Sequence, residues 1–414
     1  LTVIKIDSLN QSSFPALLCF NIESGNYVKY NRIDFKGNKI SKSEILIRQS
    51  HLQLKDKFNE KELSEARNWL YKTQLFRKKP EFEIFRSNNQ FGILFSVEEK
   101  KYISLMVLGG YSSNNKSENY SGLAEIKTAN LFGTMRKAEL LWERIGDEKE
   151  KLRLKYREPF MFNIPIASDL SFYQNYKKGI YLSRAYGFEE VYDIDPRSSI
   201  KFGIRRENIY TDSLYLGLDK DITTDRYSGG IKYSTLYNKE SIPKSTGYEI
   251  EWEIASLSVD IEDSLKLNGL EILFSAGILF KPADKIYFSI KTGYNQVLFA
   301  DDMPEFNKIY FGGSGSFRGY REEFFLSDIL LKQSIDFYFV PSSEDIAFNL
   351  FFENGQYNEY HSNIQKIDRL TDLWSYGGGI IFEGRLGEIE VTIGVPGREG
   401  FAESMVHVSY SMTF

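Results

Sequence analysis

The sequence has almost no cysteine, little histidine and no long apolar run. Cys19 is alone in 414 residues, which excludes an intrachain disulfide and a cysteine-rich metal site. His51, His361 and His407 are the only histidines and stand far apart, so a histidine metal cluster is not expected. No segment approaches about 18 consecutive apolar residues, which excludes a helical membrane span. No His-Glu-x-x-His, Gly-x-Ser-x-Gly or Gly-Lys-Ser/Thr motif occurs; Gly312-Gly-Ser-Gly-Ser316 only superficially looks like a serine nucleophile elbow. The chain is therefore not expected to be an enzyme or to carry a cofactor or metal. A net charge of -5 leaves no basic footprint for nucleic acid.

Aromatic residues are what the chain has in quantity, with Tyr 27 and Phe 32 giving 15%. They lie in short alternating runs, and the mean hydropathy is only -0.36. A strand that faces lipid on one side and water on the other shows this combination. Lys151–Arg157 is the cleanest case: Leu152, Leu154 and Tyr156 share one face and four cations share the other. The runs 285–294, 334–340, 388–395 and 405–414 alternate in the same way, with many charges on the polar face. Charges suit a wet lumen better than the dry core of a two-sheet sandwich. Sixteen such runs can be placed between residues 102 and 414. An even count puts the loop at 297–325 on the rim opposite to the one where the last strand ends.

Upstream the texture differs. Residues 1–29 read as two strands, Val3–Ile6 and Ala16–Ile22, before a turn at Glu23-Ser-Gly25. A lone hairpin is marginal in water, so it reads as the closing hairpin of a preceding, truncated module. Residues 30–100 read β-α-α-β-β. Ser41 with Glu44, and Asn59 with Glu62, have the spacing of capping boxes. Leu63, Ala66, Leu70 and Phe76, with Trp69 beside them, form the apolar stripe of the second helix.

Several segments carry a resemblance. Tyr30–Asn38 and Leu70–Phe76 look like parts of a POTRA domain; Ser121–Thr134, Tyr156-Arg-Glu-Pro159, Phe351-Phe-Glu-Asn-Gly355 and the terminal Ser411–Phe414 resemble barrel signatures of the BamA/TamA-type superfamily of outer-membrane assembly and secretion barrels. Phe317-Arg-Gly-Tyr320 resembles that superfamily's sixth-loop motif. The resemblance implies a transmembrane β-barrel of about 16 antiparallel strands over 101–414, preceded by an α+β POTRA domain over 30–100 and the hairpin of an earlier one over 1–29. It also implies an outer-membrane location with the POTRA domain in the periplasm. An exported chain needs a signal peptide and Leu1 does not open one, so the numbering is expected to begin inside a longer protein.

Two sites follow. If Ile335, Phe337 and Phe339 face lipid, Asp336 faces the lumen; if Phe348, Leu350 and Phe352 face lipid, so does Glu353. Arg318 on a folded-back loop, with Phe317, Gly319 and Tyr320, is then expected to meet one or both carboxylates. The second site is the seam between the first and last barrel strands, expected at Gly109, Gly110, Val406, Val408, Tyr410 and Phe414. A further exposed edge is expected in the POTRA domain at Phe82 and Ile84. The implied role is insertion of barrel proteins, or movement of polypeptide, by strand addition at the seam. A two-partner-type secretion pore and a barrel anchoring an upstream lipase domain stay open. The partners expected are unfolded outer-membrane or secreted polypeptides, the lipid bilayer, and a periplasmic or inner-membrane protein reached through POTRA repeats.

Overall fold

The computed structural model describes residues 2–10, 17–24, 29–88, 90–114, 117–145, 149–211, 221–236, 241–261, 265–299, 307–313, 315–321, 323–341, 345–358, 370–384 and 387–413. The chain divides into two units, Leu1–Lys100 and Lys101–Phe414.

In the first unit β1 (Thr2–Asn10) and β2 (Leu17–Ser24) pair antiparallel as a two-stranded sheet of their own. Then come β3 (Tyr30–Lys36), α1 (Ser43–Gln49), α2 (Glu60–Lys72), β4 (Glu81–Ser87) and β5 (Gln90–Ser96). β5 is the central strand, parallel to β3 and antiparallel to β4. The α2 stripe buries Leu63, Ala66, Trp69 and Leu70, and Phe76 is buried with Ile93 and Phe95 of β5. Asn59 caps α2, its side-chain oxygen accepting from the Lys61 N–H at 3.0 Å while its amide donates to Glu62.

The start of α1 departs from the expected capping box. Lys42 is the N-cap residue and makes no side-chain cap. Glu99 instead accepts from the backbone N–H groups of Lys39, Ile40 and Ser41 at 2.9, 2.9 and 2.8 Å. A carboxylate distant in sequence thus supplies what the local pattern assigned to Glu44.

The second unit is a closed ring of antiparallel strands. In chain order these are β6 (Ile103–Asn114), β7 (Ser117–Leu131), β8 (Arg136–Ile145), β9 (Lys149–Glu158), β10 (Ile166–Lys177), β11 (Tyr181–Asp193), β12 (Ser198–Thr211), β13 (Asp221–Ser234), β14 (Gly247–Ile261), β15 (Leu265–Ala283) and β16 (Ile286–Phe299). Two short strands, β17 (Ile309–Phe311) and β18 (Phe325–Ser327), pair with each other in the loop that follows. The ring then continues through β19 (Ile329–Phe339), β20 (Ile346–Asn358), β21 (Leu370–Gly384), β22 (Gly387–Pro396) and β23 (Met405–Thr413). Sixteen strands form the ring. The sequence pattern puts strands near 121–131, 226–236 and 326–340; the structure begins β7 at Ser117 and β13 at Asp221, and splits the third run into β18 and β19.

β14 shows how the wall meets its surroundings. In its first half Tyr248, Ile250, Trp252 and Ile254 are exposed on the outer face. Glu251 and Glu253 face inward to Lys201, Lys232 and Arg226, with Lys201–Glu251 at 2.7 Å and Lys232–Glu251 at 3.0 Å. In its second half the polarity inverts: Ser256, Ser258 and Asp260 are exposed while Leu257 and Val259 are buried. An apolar exterior over a charged interior fits lipid outside and water inside; a polar exterior over an apolar core fits water outside. The inversion places the lipid boundary near Ile254.

Candidate functional site

The loop between β16 and β19 folds back as the β17–β18 ladder, and its tip is drawn into the barrel. Gly312 and Gly313 have φ of 120° and 89°, a left-handed region that side chains disfavour. The Ser316 hydroxyl closes the turn: it accepts from the Gly312 N–H and donates to the Gly312 carbonyl, both at 2.7 Å. Phe317, Tyr320, Phe311 and Tyr357 then pack with Leu257, Val297 and Leu373 in one buried cluster. The Tyr320 hydroxyl donates to the Trp374 carbonyl at 3.0 Å, and burial pushes its phenol up to about 12.

Arg318 reaches both carboxylates that strand parity aims inward. Its Nε lies 2.7 Å from Glu353 Oε1 and its Nη1 2.8 Å from Asp336 Oδ1. The Arg318 backbone N–H also donates to Glu353 Oε2 at 2.8 Å. Asp336 and Glu353 are 3% and 1% exposed, so water supplies little of their solvation. Burial pulls the guanidinium pKa down, yet Glu353 and Asp336 outweigh it and hold the group above its ordinary value. It therefore stays charged.

Other contacts at this site lay outside the sequence reading. Lys332 Nζ sits 3.1 Å from Glu353 Oε1 and also donates to the Ser316 carbonyl. The Asn349 amide donates to Asp336 at 3.3 Å, and the Arg318 guanidinium lies 3.8 Å above the Phe351 ring. Parity could have found these, because Lys332 shares a face with Asp336, and Asn349 and Phe351 share one with Glu353. Gly394 carried no such signal. A Cβ there would come within 2.5 Å of the Gly319 nitrogen, and one at Gly319, where φ is 88°, within 3.2 Å of Gly394 and Val395 backbone. Two glycines thus let the loop tip lie against β22. From the same loop Glu323 pairs with Lys151 of β9 at 3.0 Å, so the loop reaches a second wall of the lumen.

At the seam, among the described residues, β23 meets β6 through two residue pairs, Met412↔Leu105 and Thr413↔Ser104. β23 makes seven pairs with β22, and β6 makes twelve with β7. Val406, Val408 and Tyr410 pair with Ile393, Val391 and Ile389 of β22, and none pairs with β6 among the described residues. The structure places Gly109 and Gly110 opposite Gly122 and Ser121 of β7, on the stretch of β6 that β23 does not reach. Phe414 lies outside the described residues. In the first unit β4 is an edge strand, on which Ile84 is 53% exposed and Phe82 packs partly against Phe95. Among the described residues no three His, Cys, Asp or Glu side chains gather as metal ligands would.

Residues 28–100 match the family model described as POTRA, surface antigen variable number repeat. No curated protein matches the chain. Three solved structures align over 100% of it. BamA from Haemophilus ducreyi lacking POTRA domains 1–3 does so over 90% of its own chain, at 14% identity and a TM-score of 0.56. CdiB from Acinetobacter baumannii aligns over 78% of its chain at 12% identity and a TM-score of 0.62. CdiB from Escherichia coli aligns over 80% at 11% identity and a TM-score of 0.65. The chain thus joins a POTRA domain to a 16-stranded antiparallel barrel, a fold it shares with the BamA and CdiB structures.

Proposed function

We propose that this protein is a non-enzymatic assembly and translocation factor of a bacterial outer membrane, with its POTRA domain in the periplasm and unfolded polypeptides as clients. The observation that carries the reading is the seam. Beyond Leu105, β6 offers backbone N–H and C=O groups that β23 does not pair. In lipid such groups are costly, because no water can satisfy them, and they bind an incoming strand in antiparallel register. The Arg318 site supports the same reading from the other end of β22: it clamps the loop to β19, β20 and β22, so the wall stays in register while the seam exchanges partners. Residues 1–29 read as the closing hairpin of a preceding POTRA repeat, which would extend a periplasmic arm for further partners.

The test is a disulfide across the observed pair. Leu105→Cys with Met412→Cys, in a chain whose Cys19 is replaced by serine, should crosslink on oxidation and lose client insertion, and reduction should restore it. Full activity after complete crosslinking would sink strand exchange at the seam.

A polypeptide-conducting pore is the second reading, and the charged inner wall of β12–β15 favours it, since an extended polar chain could slide there in water. The loop crosses that lumen and must move for a pore to open. Single-channel conductance after Glu323→Gln, which removes the ion pair between the loop and Lys151, separates the two: repeated opening supports the pore, and a silent barrel that still inserts clients supports strand exchange.

A further inference from the structure

The rim where β6 starts and β23 ends carries large apolar side chains that no part of the function above uses. Antiparallel strands alternate their connections between two rims, so the turns β7–β8, β9–β10 and β11–β12 all lie at this one. Phe132 of the first turn is 79% exposed and Phe162 of the second 84%, with Ile164 beside it; Ile194 of the third is 59% exposed.

These side chains are held outward, not left loose. Phe132 and Phe162 have φ of 55° and 49°, a left-handed conformation uncommon for a bulky residue, which makes both of them points of backbone strain. The turn that carries Phe132 is closed on itself. The Asn130 side chain accepts from the Met135 N–H at 2.8 Å, and Thr134 donates to the Leu131 carbonyl at 2.7 Å. Asn130 and Met135 are buried while the phenylalanine between them is not. The second turn repeats the arrangement, with Phe160 buried and Phe162 exposed.

The patch covers one arc of the rim. Elsewhere among the described residues this rim shows Asp284 and Asp345 exposed, and Ile242 of the β13–β14 turn is buried. The patch continues the lipid-facing wall directly above it, where Ile126, Leu140, Leu154, Leu170 and Tyr192 are exposed on the outer face. Between the two the Arg136–Glu158 pair, 2.7 Å apart, and the Tyr156 hydroxyl form a polar band of the kind found at headgroup depth.

The geometry points to a membrane-dipping rim: the turns at Phe132, Phe162 and Ile194 insert into the interfacial layer of the inner leaflet, and they do so on the arc that begins at the seam strand. The partner is lipid, because the patch is continuous with the lipid-facing belt and confined to the same strands. Anchoring there fixes the depth and tilt of β7–β12, while the opposite arc stays free to rise or sink. The inference rests on the membrane reading of the belt, and the experiment separates the two.

Phe132→Cys, Phe162→Cys and Ile194→Cys, each in a chain with Cys19 replaced by serine, are labelled with nitrobenzoxadiazole and reconstituted in vesicles of phosphatidylethanolamine and phosphatidylglycerol. Phe202→Cys in the belt and Asp284→Cys on the opposite arc serve as references. Ile164→Cys replaces any variant that loses the gel mobility of the folded barrel. The rim labels should shift to the blue and be quenched by lipid carrying a headgroup-proximal nitroxide, as the label at position 202 shifts and the label at 284 does not. Water-like emission at positions 132 and 162, with 202 in lipid, overturns the inference and leaves the membrane reading intact. A shift seen only after an unfolded polypeptide is added also overturns it, in favour of a protein-docking rim. A water-like label at 202 overturns both.

Discussion

Replacing Arg318 by alanine would leave two buried carboxylates with one cation between them. Glu353 would keep Lys332 at 3.1 Å, but among the described residues the nearest hydrogen-bond partner left to Asp336 would be the Asn349 amide at 3.3 Å. Removing one partner of a buried ion pair costs about 3–5 kcal/mol, because the remaining charge is neither paired nor hydrated. The face of Phe351 would lose its cation as well, about 0.5–2 kcal/mol in a desolvated site. We therefore expect Arg318→Ala to destabilise the barrel by about 4 kcal/mol, near the middle of the range for a broken buried pair. Lysine at 318 should recover part of this, since one ammonium cannot span both carboxylates as the planar fork does. Arg318→Glu should be worse than alanine and be partly rescued by Glu353→Arg. Urea unfolding in detergent micelles reads the stability, and trypsin cleavage at Arg321 reads release of the loop. A loss under about 1 kcal/mol, the level of an exposed pair, with the loop still protected from trypsin, would refute the reasoning.

Gly394→Ala should push the loop off β22, because the new Cβ would lie 2.5 Å from the Gly319 nitrogen and neither backbone can yield cheaply. A loss of about 1–3 kcal/mol in the same urea assay is expected for such overpacking, with faster trypsin cleavage at Arg321. Glu99→Ala should strip the acceptor from three backbone N–H groups and cost the POTRA domain about 1–3 kcal/mol, seen as faster hydrogen exchange at residues 39–41 and in α1. Asn59→Ala should cost about 1 kcal/mol, seen as faster exchange in the first turn of α2.

Strand parity was legible in the sequence because it follows from covalent geometry: successive side chains of a strand point to opposite faces whatever the strand pairs with. The inward aim of Asp336 and Glu353 and the outward aim of Phe348 and Leu350 follow from it, and so does the recognition of sixteen alternating runs; that they close into a ring was implied by the resemblance and is seen in the structure. The α2 stripe was legible for the corresponding reason, with the helical period in place of two. The resemblance of Phe317-Arg-Gly-Tyr320 to a known motif singled out Arg318, but which carboxylates it meets depends on how far the loop folds back. Only the tertiary structure decided that, as it decided that Gly319 rests on Gly394, that Glu99 serves the turn before α1, and that among the described residues β23 pairs with β6 through two residues. Each is a contact between segments distant in the chain, set by loop closure and register rather than by any local period. The inversion of polarity along β14 is local by contrast, with the apolar set passing from even to odd positions after Ile254, and the tertiary structure decided only which of the two faces lies outside.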